Sequence, residues 1–248
     1  MADPLFWALG STVLVSLVSL VGAATFMFEG RVLNRALLVL VGFSAGAMMG
    51  AAFLDLLPEA LEHSGSMGIF SYVVLGFVLF FLMEKFLYWR HCHEGERGVR
   101  TFTYMNLIGD GVHNFIDGLA IAASFTASLA LGAATTFAVI AHEVPQELGD
   151  FGVLVYGGLG RTRALLFNLL SALTAVVGAL TGYLLFPYVE DLSVLLLPLA
   201  AGGFIYVSGS DLIPELRREA DEKKSALSFA FFLLGILFMQ SMRLLFEH

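Results

Sequence analysis

The stretch Thr103–Tyr156 holds two apolar runs studded with ionisable groups: DGVHNFIDG, from Asp110 to Gly118, and HEVPQELGD, from His142 to Asp150. Each motif sits midway along a run long enough to cross a bilayer. A charged side chain at the centre of a helix in lipid costs roughly 2.5–3.5 kcal/mol. With all four facing lipid, Asp117, Glu143, Glu147 and Asp150 would cost on the order of 10 kcal/mol. These groups must therefore face one another, water or a bound cation.

Around this pair the chain is 58% hydrophobic and only 14% charged, with mean hydropathy +0.84. That places it among helical membrane proteins. A spanning helix needs about 20 mostly apolar residues. Eight stretches qualify, at about 5–28, 36–60, 68–89, 103–127, 129–157, 163–187, 192–215 and 226–246. Backbone groups in lipid must pair within their own segment, and the alternation of a barrel strand is absent. The expected fold is an all-α integral membrane protein, an eight-helix bundle forming a single domain over residues 1–248. The opening MADPLFWALGS lacks a basic leader region and reads as the start of a membrane helix. One cysteine, Cys92, allows no intrachain disulfide. No basic patch with interleaved aromatics exists, which argues against a nucleic-acid partner.

The connections order the spans. Arg31 and Arg35 fall in the first connection and Lys85, Arg90, Arg97 and Arg100 in the third. Arg161 and Arg163 fall in the fifth, and Arg217, Arg218, Lys223 and Lys224 in the seventh. The second, fourth and sixth hold no Lys or Arg, and Arg243 alone stands apart from the pattern. By the positive-inside rule the odd connections are cytoplasmic and both termini lie outside. The short connections suggest a bacterial plasma (inner) membrane. His91, His93 and Glu94 flank Cys92 in the third connection and read as the solvated tail of the third span.

A short repeat adds symmetry. The second span ends DLLPE, Asp55 to Glu59, and the seventh ends DLIPE, Asp211 to Glu215. The two spans run in opposite directions, so the copies lie at opposite faces. Spans 1–3 and 6–8 then form an inverted repeat around a central pair, a 3+2+3 arrangement whose site is expected at the repeat interface. Asp55, Glu59, Asp211 and Glu215 become pathway candidates, with solvation or helix capping as the plain alternative. Gly42, Gly46 and Gly50, four apart, mark a face for close helix contact, as do Gly178 and Gly182.

Each helical residue advances about 100°. His113, Asn114 and Asp117 fall on one stripe of the fourth span. His142, Glu143, Gln146, Glu147 and Asp150 fall on one stripe of the fifth. Two facing stripes offer imidazole, carboxylate and amide oxygen but no thiolate, a set suited to zinc, iron or manganese. Ligands at i and i+4 on each helix make a four-point cage, and the surplus carboxylates could bridge a second ion. Pro145 frees the carbonyl of Ala141 amid these groups. A proton relay without metal is the competing use of the same residues.

HNFIDGLAIAASF (113–125) and HEVPQELGDFGVL (142–154) resemble the fourth and fifth helices of the ZIP metal permeases, in the branch marked HNxxDG and HExPHExGD. VSGSDLIPEL (207–216) extends the likeness. The resemblance implies uptake of a divalent metal into the cytosol, usually zinc (Zn2+), sometimes cadmium, iron or manganese (Cd2+, Fe2+, Mn2+), and no enzymatic activity. It implies a two-metal centre, with His113, Asn114, Asp117, His142, Glu143 and Gln146 at the family's metal positions. Glu147 and Asp150 match the motif. It also implies a homodimer, and sliding of spans 1, 4, 5 and 6 against 2, 3, 7 and 8. Gln146 stands where the branch commonly has His. With His there the motif would read HExxH, so an intramembrane zinc protease is the remaining enzyme reading, which proline in the helix disfavours.

Overall fold

The computed structural model describes residues 3–27, 30–91, 99–185 and 189–246. Every regular element among them is helical: α1 (Pro4–Val18), α2 (Gly30–Ala51), α3 (Leu57–Ser64), α4 (Ile69–His91), α5 (Thr101–Ala127), α6 (Leu129–Tyr156), α7 (Arg161–Ala172), α8 (Thr174–Leu184), α9 (Val189–Tyr206), α10 (Ile213–Arg217) and α11 (Glu222–Phe246). A 3₁₀ stretch, Ser19–Met27, extends α1. Cys92, His93, Glu94 and Arg97, and the ends of the first and sixth expected spans at Phe28 and 186–187, lie outside the described residues.

The breaks have local causes. α3 ends on Gly65 in the left-handed region (φ 59°), which costs glycine nothing. α6 is followed by Gly157 and Gly158, the latter at φ 110°. α5 and α6 are joined by Ser128 alone, whose hydroxyl accepts the N–H of Leu131 (3.1 Å) and caps α6. Both DLxPE copies carry the same irregularity. A π-helical turn, Ala52–Leu56, precedes Pro58, and another, Val207–Leu212, precedes Pro214. Proline removes an N–H and strands a carbonyl one turn back. The carbonyl stranded by Pro58 belongs to Leu54, and Arg243 donates to it (2.9 Å).

Six helical segments are long and apolar enough to cross a membrane: Pro4–Thr25, Ala36–Glu62, Ile69–Phe86, Arg161–Leu184, Val194–Arg217 and Glu222–Leu245. These match six of the eight expected spans. The other two are α5 and α6. They have 27 and 28 residues, about 40 Å at 1.5 Å per residue, so length is not what separates them. They carry the polar stripes. The protein is an all-α membrane protein in which α5 and α6 bury Asp110, His113, Asp117, Glu143, Glu147 and Asp150.

Glycine sets the tightest contacts. A Cβ on Gly46 would strike the backbone carbonyl of Phe232, and one on Gly42 that of Ser228, so α2 and α11 touch backbone to backbone. Gly118 against Ala175 and Gly178 against Phe115 bring α5 onto α8. Gly76 against Leu199 and Gly202 against Val73 bring α4 onto α9. Without a hydrophobic drive between helices in lipid, such close packing is what holds them. Two sets result. α5 is flanked by α1, α6, α7 and α8, while α2 and α9 gather α3, α4 and α11. The main seam between the sets is α2 on α6, where Gly149 meets Ser44 and Gly152 meets Leu40. α4 and α11 expose much of their apolar surface, including Val74, Leu82, Leu234 and Leu237.

Replacing Gly46 by leucine forces α2 off α11. Gly46→Leu is expected to cost about 1–3 kcal/mol and to lower the thermal midpoint of the detergent-purified protein. Gly10→Leu, at a position with nothing within 4 Å of a built Cβ, is expected to leave it unchanged.

Candidate metal centre

The link of one residue makes α5 and α6 an antiparallel pair with a fixed register. His113 and Glu143 each lie fifteen residues from Ser128, which puts them at the same depth, about 22 Å from the link. His113 and Asp117 stack one turn apart on α5. His142 and Glu143 face them from α6.

Four donor atoms close a ring. His113 Nε2 lies 3.4 Å from Glu143 Oε1 and 3.7 Å from Asp117 Oδ2. His142 Nε2 lies 3.5 Å from Asp117 Oδ2 and 3.6 Å from Glu143 Oε1. Nitrogen and oxygen alternate around it. All four atoms are buried without a hydrogen-bond partner. The gaps exceed the roughly 2.7–3.2 Å of a hydrogen bond. They match the edge of a tetrahedron of ligands about 2.0–2.2 Å from a zinc ion, which is about 3.3–3.6 Å. The arrangement can hold a four-coordinate divalent cation, with two carboxylates balancing its charge.

A second group lies toward the start of α5. Asp110, Glu143 and Glu147 each offer a carboxylate oxygen, all within 4.8 Å of one another. Asn114, fully buried, donates to Asp110 Oδ1 (2.9 Å) and to the Asp110 carbonyl (3.2 Å). Asn168 of α7 donates to Glu147 Oε2 (2.6 Å), the Glu147 carbonyl (3.2 Å) and the Ser19 carbonyl (3.4 Å).

The remaining sequence candidates fall around these groups. Gln146 turns away from the ring and donates to Met239 Sδ of α11 (3.4 Å). The i and i+4 cage expected on α6 is therefore replaced by the adjacent pair His142 and Glu143, because Gln146 is taken up by α11. Asp150 accepts from Ser44 of α2 (3.0 Å) and joins neither group. Asp55, in the first π turn, lies close enough to feel the charges of His142, His113 and Asp117. Glu59 is on the exposed side of α3. Asp211, in the second π turn, lies near Glu84 and Glu215. Glu215 is buried between Arg100 (2.5 Å), Arg218 and the hydroxyl of Tyr156 (3.3 Å). Asp110 and Asn168 were not among the expected ligands. Asp110 is three residues before His113 and seven before Asp117, on the same stripe, which was a usable signal. Asn168 is the one amide in a span whose other polar residues after Arg163 are hydroxylic, Ser171, Thr174, Thr181 and Tyr183.

The family model for the ZIP zinc transporters matches residues 89–243. The mouse zinc transporter ZIP10 is 39% identical over 160 residues, which cover 62% of this chain and 19% of that protein. The human zinc transporter ZIP6 is 46% identical over 121 residues, 49% of this chain and 16% of that protein. The mouse zinc transporter SLC39A7 is 31% identical over an alignment covering 98% of this chain and 69% of that protein. The chain thus spans about a fifth of the length of the first two relatives and about two thirds of the third. On a family match over more than half its residues and a relative aligned along nearly all of them, the chain belongs to the ZIP zinc transporter family.

Proposed function

We propose that this protein carries a divalent transition metal, zinc first, across the membrane into the cytoplasm through the ring between α5 and α6. The observation that carries the reading is the ring itself. Four buried donor atoms face each other at the separations of a metal coordination shell, and none has a hydrogen-bond partner. A proton relay would draw such groups into hydrogen bonds of about 2.8 Å, which speaks against the proton-only alternative. A protease would need a second histidine where Gln146 stands, and the relatives named above are transporters.

The finer features belong to the same proposal. α5 and α6 cross the bilayer with the six apolar segments, giving eight spans in a 3+2+3 inverted repeat. The matching π turns before Pro58 and Pro214 support the repeat. The clustering of basic residues in the odd connections supports a cytoplasmic place for them and external termini. The ion enters past Asp55 and Glu59 and leaves past Asp211 and Glu215. Cadmium, iron and manganese are accepted with other affinities, since mixed imidazole and carboxylate ligation is not exclusive to zinc. A homodimer would use the exposed apolar faces that lipid otherwise covers. The relatives named are mouse and human proteins, so they add nothing to a bacterial plasma-membrane location.

Zinc uptake into proteoliposomes tests the ring. His113→Ala and Asp117→Ala are each expected to cut uptake by more than the roughly 10- to 100-fold that losing an outer-shell partner costs. Uptake unaltered in both variants rules the assignment out.

Orientation is read by thiol labelling in a Cys92→Ser background. Ser66→Cys, in the exposed turn after α3, is expected to react with a membrane-impermeant maleimide in intact cells. Thr162→Cys, exposed at the start of α7, is expected to react only after permeabilisation. The reverse pattern would invert the topology and the direction of transport with it.

A further inference from the structure

A pocket opens between α10 and α11, lined by no residue of the ring. Ile213, Leu216 and Arg217 of α10 lie three and four residues apart, on one helical face. Ser225, Phe229 and Phe232 of α11, four and seven apart, form the opposite wall. The space between them is about 320 Å³, at the lower end of the roughly 300–1,000 Å³ of small-molecule sites. Ser228 also lines it, but its hydroxyl donates to the carbonyl of Ser225 (3.0 Å). The wall is thus apolar apart from the hydroxyl of Ser225 and one guanidinium.

Two apolar segments set its depth. One ends at Arg217 and the next begins at Glu222, so the mouth of the pocket lies at the membrane boundary. Phe229 and Phe232 lie about 6 and 10 Å deeper along α11 than Ser225. Phe229 is 58% exposed, and its ring stacks with that of Phe232, centroids 6.2 Å apart. Their open side faces the hydrocarbon. At the mouth, Arg218 is paired with Glu215, and Lys224 lies 3.7 Å from Glu219. Arg217 is exposed and forms no ion pair among the described residues. A guanidinium is a planar fork of donors that matches a phosphate. The pocket therefore joins an uncommitted cation at head-group level to an aromatic wall at acyl-chain level.

We infer that this pocket binds an acidic phospholipid, its phosphate on Arg217 and the start of an acyl chain against Phe229 and Phe232. Basic pockets between membrane helices take anionic head groups in this way. A free phosphate would engage the arginine alone and gain nothing from the apolar wall, whereas every methylene laid on that wall adds to the affinity of a lipid. The seated lipid lies against α10, whose Glu215 accepts from Arg100 at the start of α5. It therefore braces the helix that carries this contact from one helix set to the other.

The test is native mass spectrometry of the full chain in detergent, without zinc, titrated with phosphatidylglycerol or with phosphatidylcholine. One phosphatidylglycerol per chain is expected to bind in preference to phosphatidylcholine. Arg217→Gln is expected to weaken it about fivefold, the share of one basic residue near a membrane surface. Ser225→Trp, which fills the mouth, is expected to remove it. Arg163→Gln, at an exposed basic residue outside the pocket, is expected to leave it unchanged. The thermal midpoint of each variant in lipid-free detergent reports folding. A wild type without preference for phosphatidylglycerol, undiminished binding in both pocket variants, or equal losses in Arg217→Gln and Arg163→Gln overturns the site. Displacement of the lipid by an equal concentration of glycerol 3-phosphate also overturns it, in favour of a free phosphate. So does a protein dimer that separates in Arg217→Gln, which would make the pocket an interface between copies. Zinc is absent from the assay, so its failure and a failure of zinc uptake are separate results.

Discussion

Taking a carboxylate out of water costs several kcal/mol even after the protein relaxes around it. This molecule does so at Asp110, Asp117, Glu143, Glu147 and Asp150, all buried along one face of two helices. Helix geometry confines the compensation to that face. The partners must be the facing stripe, a few amides and hydroxyls from neighbouring helices, or an ion. Ser44 answers Asp150, Asn114 answers Asp110 and Asn168 answers Glu147. What is left over is the alternating ring of two imidazoles and two carboxylates, with a formal charge of −2 when the histidines are neutral. That residue of unmet charge is equal and opposite to one divalent cation.

The rest of the bundle keeps this face dry. Within each helix set the closest contacts are glycine against backbone, beside hydrogen bonds such as Ser16 to the carbonyl of Ala172 (2.8 Å) and Ser208 to the carbonyl of Ala45 (2.8 Å). Across the seam lie further polar contacts. They include Ser44 to Asp150, Gln146 to Met239 and Arg100 to Glu215. The guanidinium of Arg100 also lies over the ring of Tyr156, 5.1 Å from its centroid. Hydrogen bonds of this sort can be traded for water or for another partner at little net cost. Steric interlock cannot. Both kinds occur at the seam as well, since Gly149 packs on Ser44 and Gly152 on Leu40 across it.

Much of this was written in the residue order. The 3.6-residue period placed His113 and Asp117 on one face, and the single-residue link at Ser128 set His113 level with Glu143. The basic connections and glycine spacings needed no coordinates. Three things were hidden. Asn168 contacts Glu147 through tertiary packing of α7, which no local pattern reports. Gln146 shares the stripe by angle, yet its side chain is claimed by Met239 of α11, a competition that helix geometry alone does not contain. The π turns are the third. DLLPE and DLIPE read as helix ends, because proline usually marks one, whereas here the helix widens by a residue before the proline and continues beyond it. Wide turns of this kind are often found at functional sites, and Asp55 in the first of them lies near the ring.

Ligand hardness differs between the two groups of donors on α5 and α6. A closed site of four strong ligands would hold zinc too long to pass it on, so a carrier needs steps that are each shallow. The ring has imidazole, the softer donor and the better match to zinc. The carboxylate group beyond it has none. Glu143 belongs to both groups, so on the proposed inward route an ion leaving the imidazoles would keep one ligand. Beyond them Asp150 is already half answered by Ser44, and Glu215 is occupied by two arginines, so neither forms a deep well. Along α6 the donor types thus run from imidazole at His142 through carboxylate at Glu143 and Glu147 to a carboxylate already bonded to Ser44 at Asp150, the order that the proposed release toward the basic face requires.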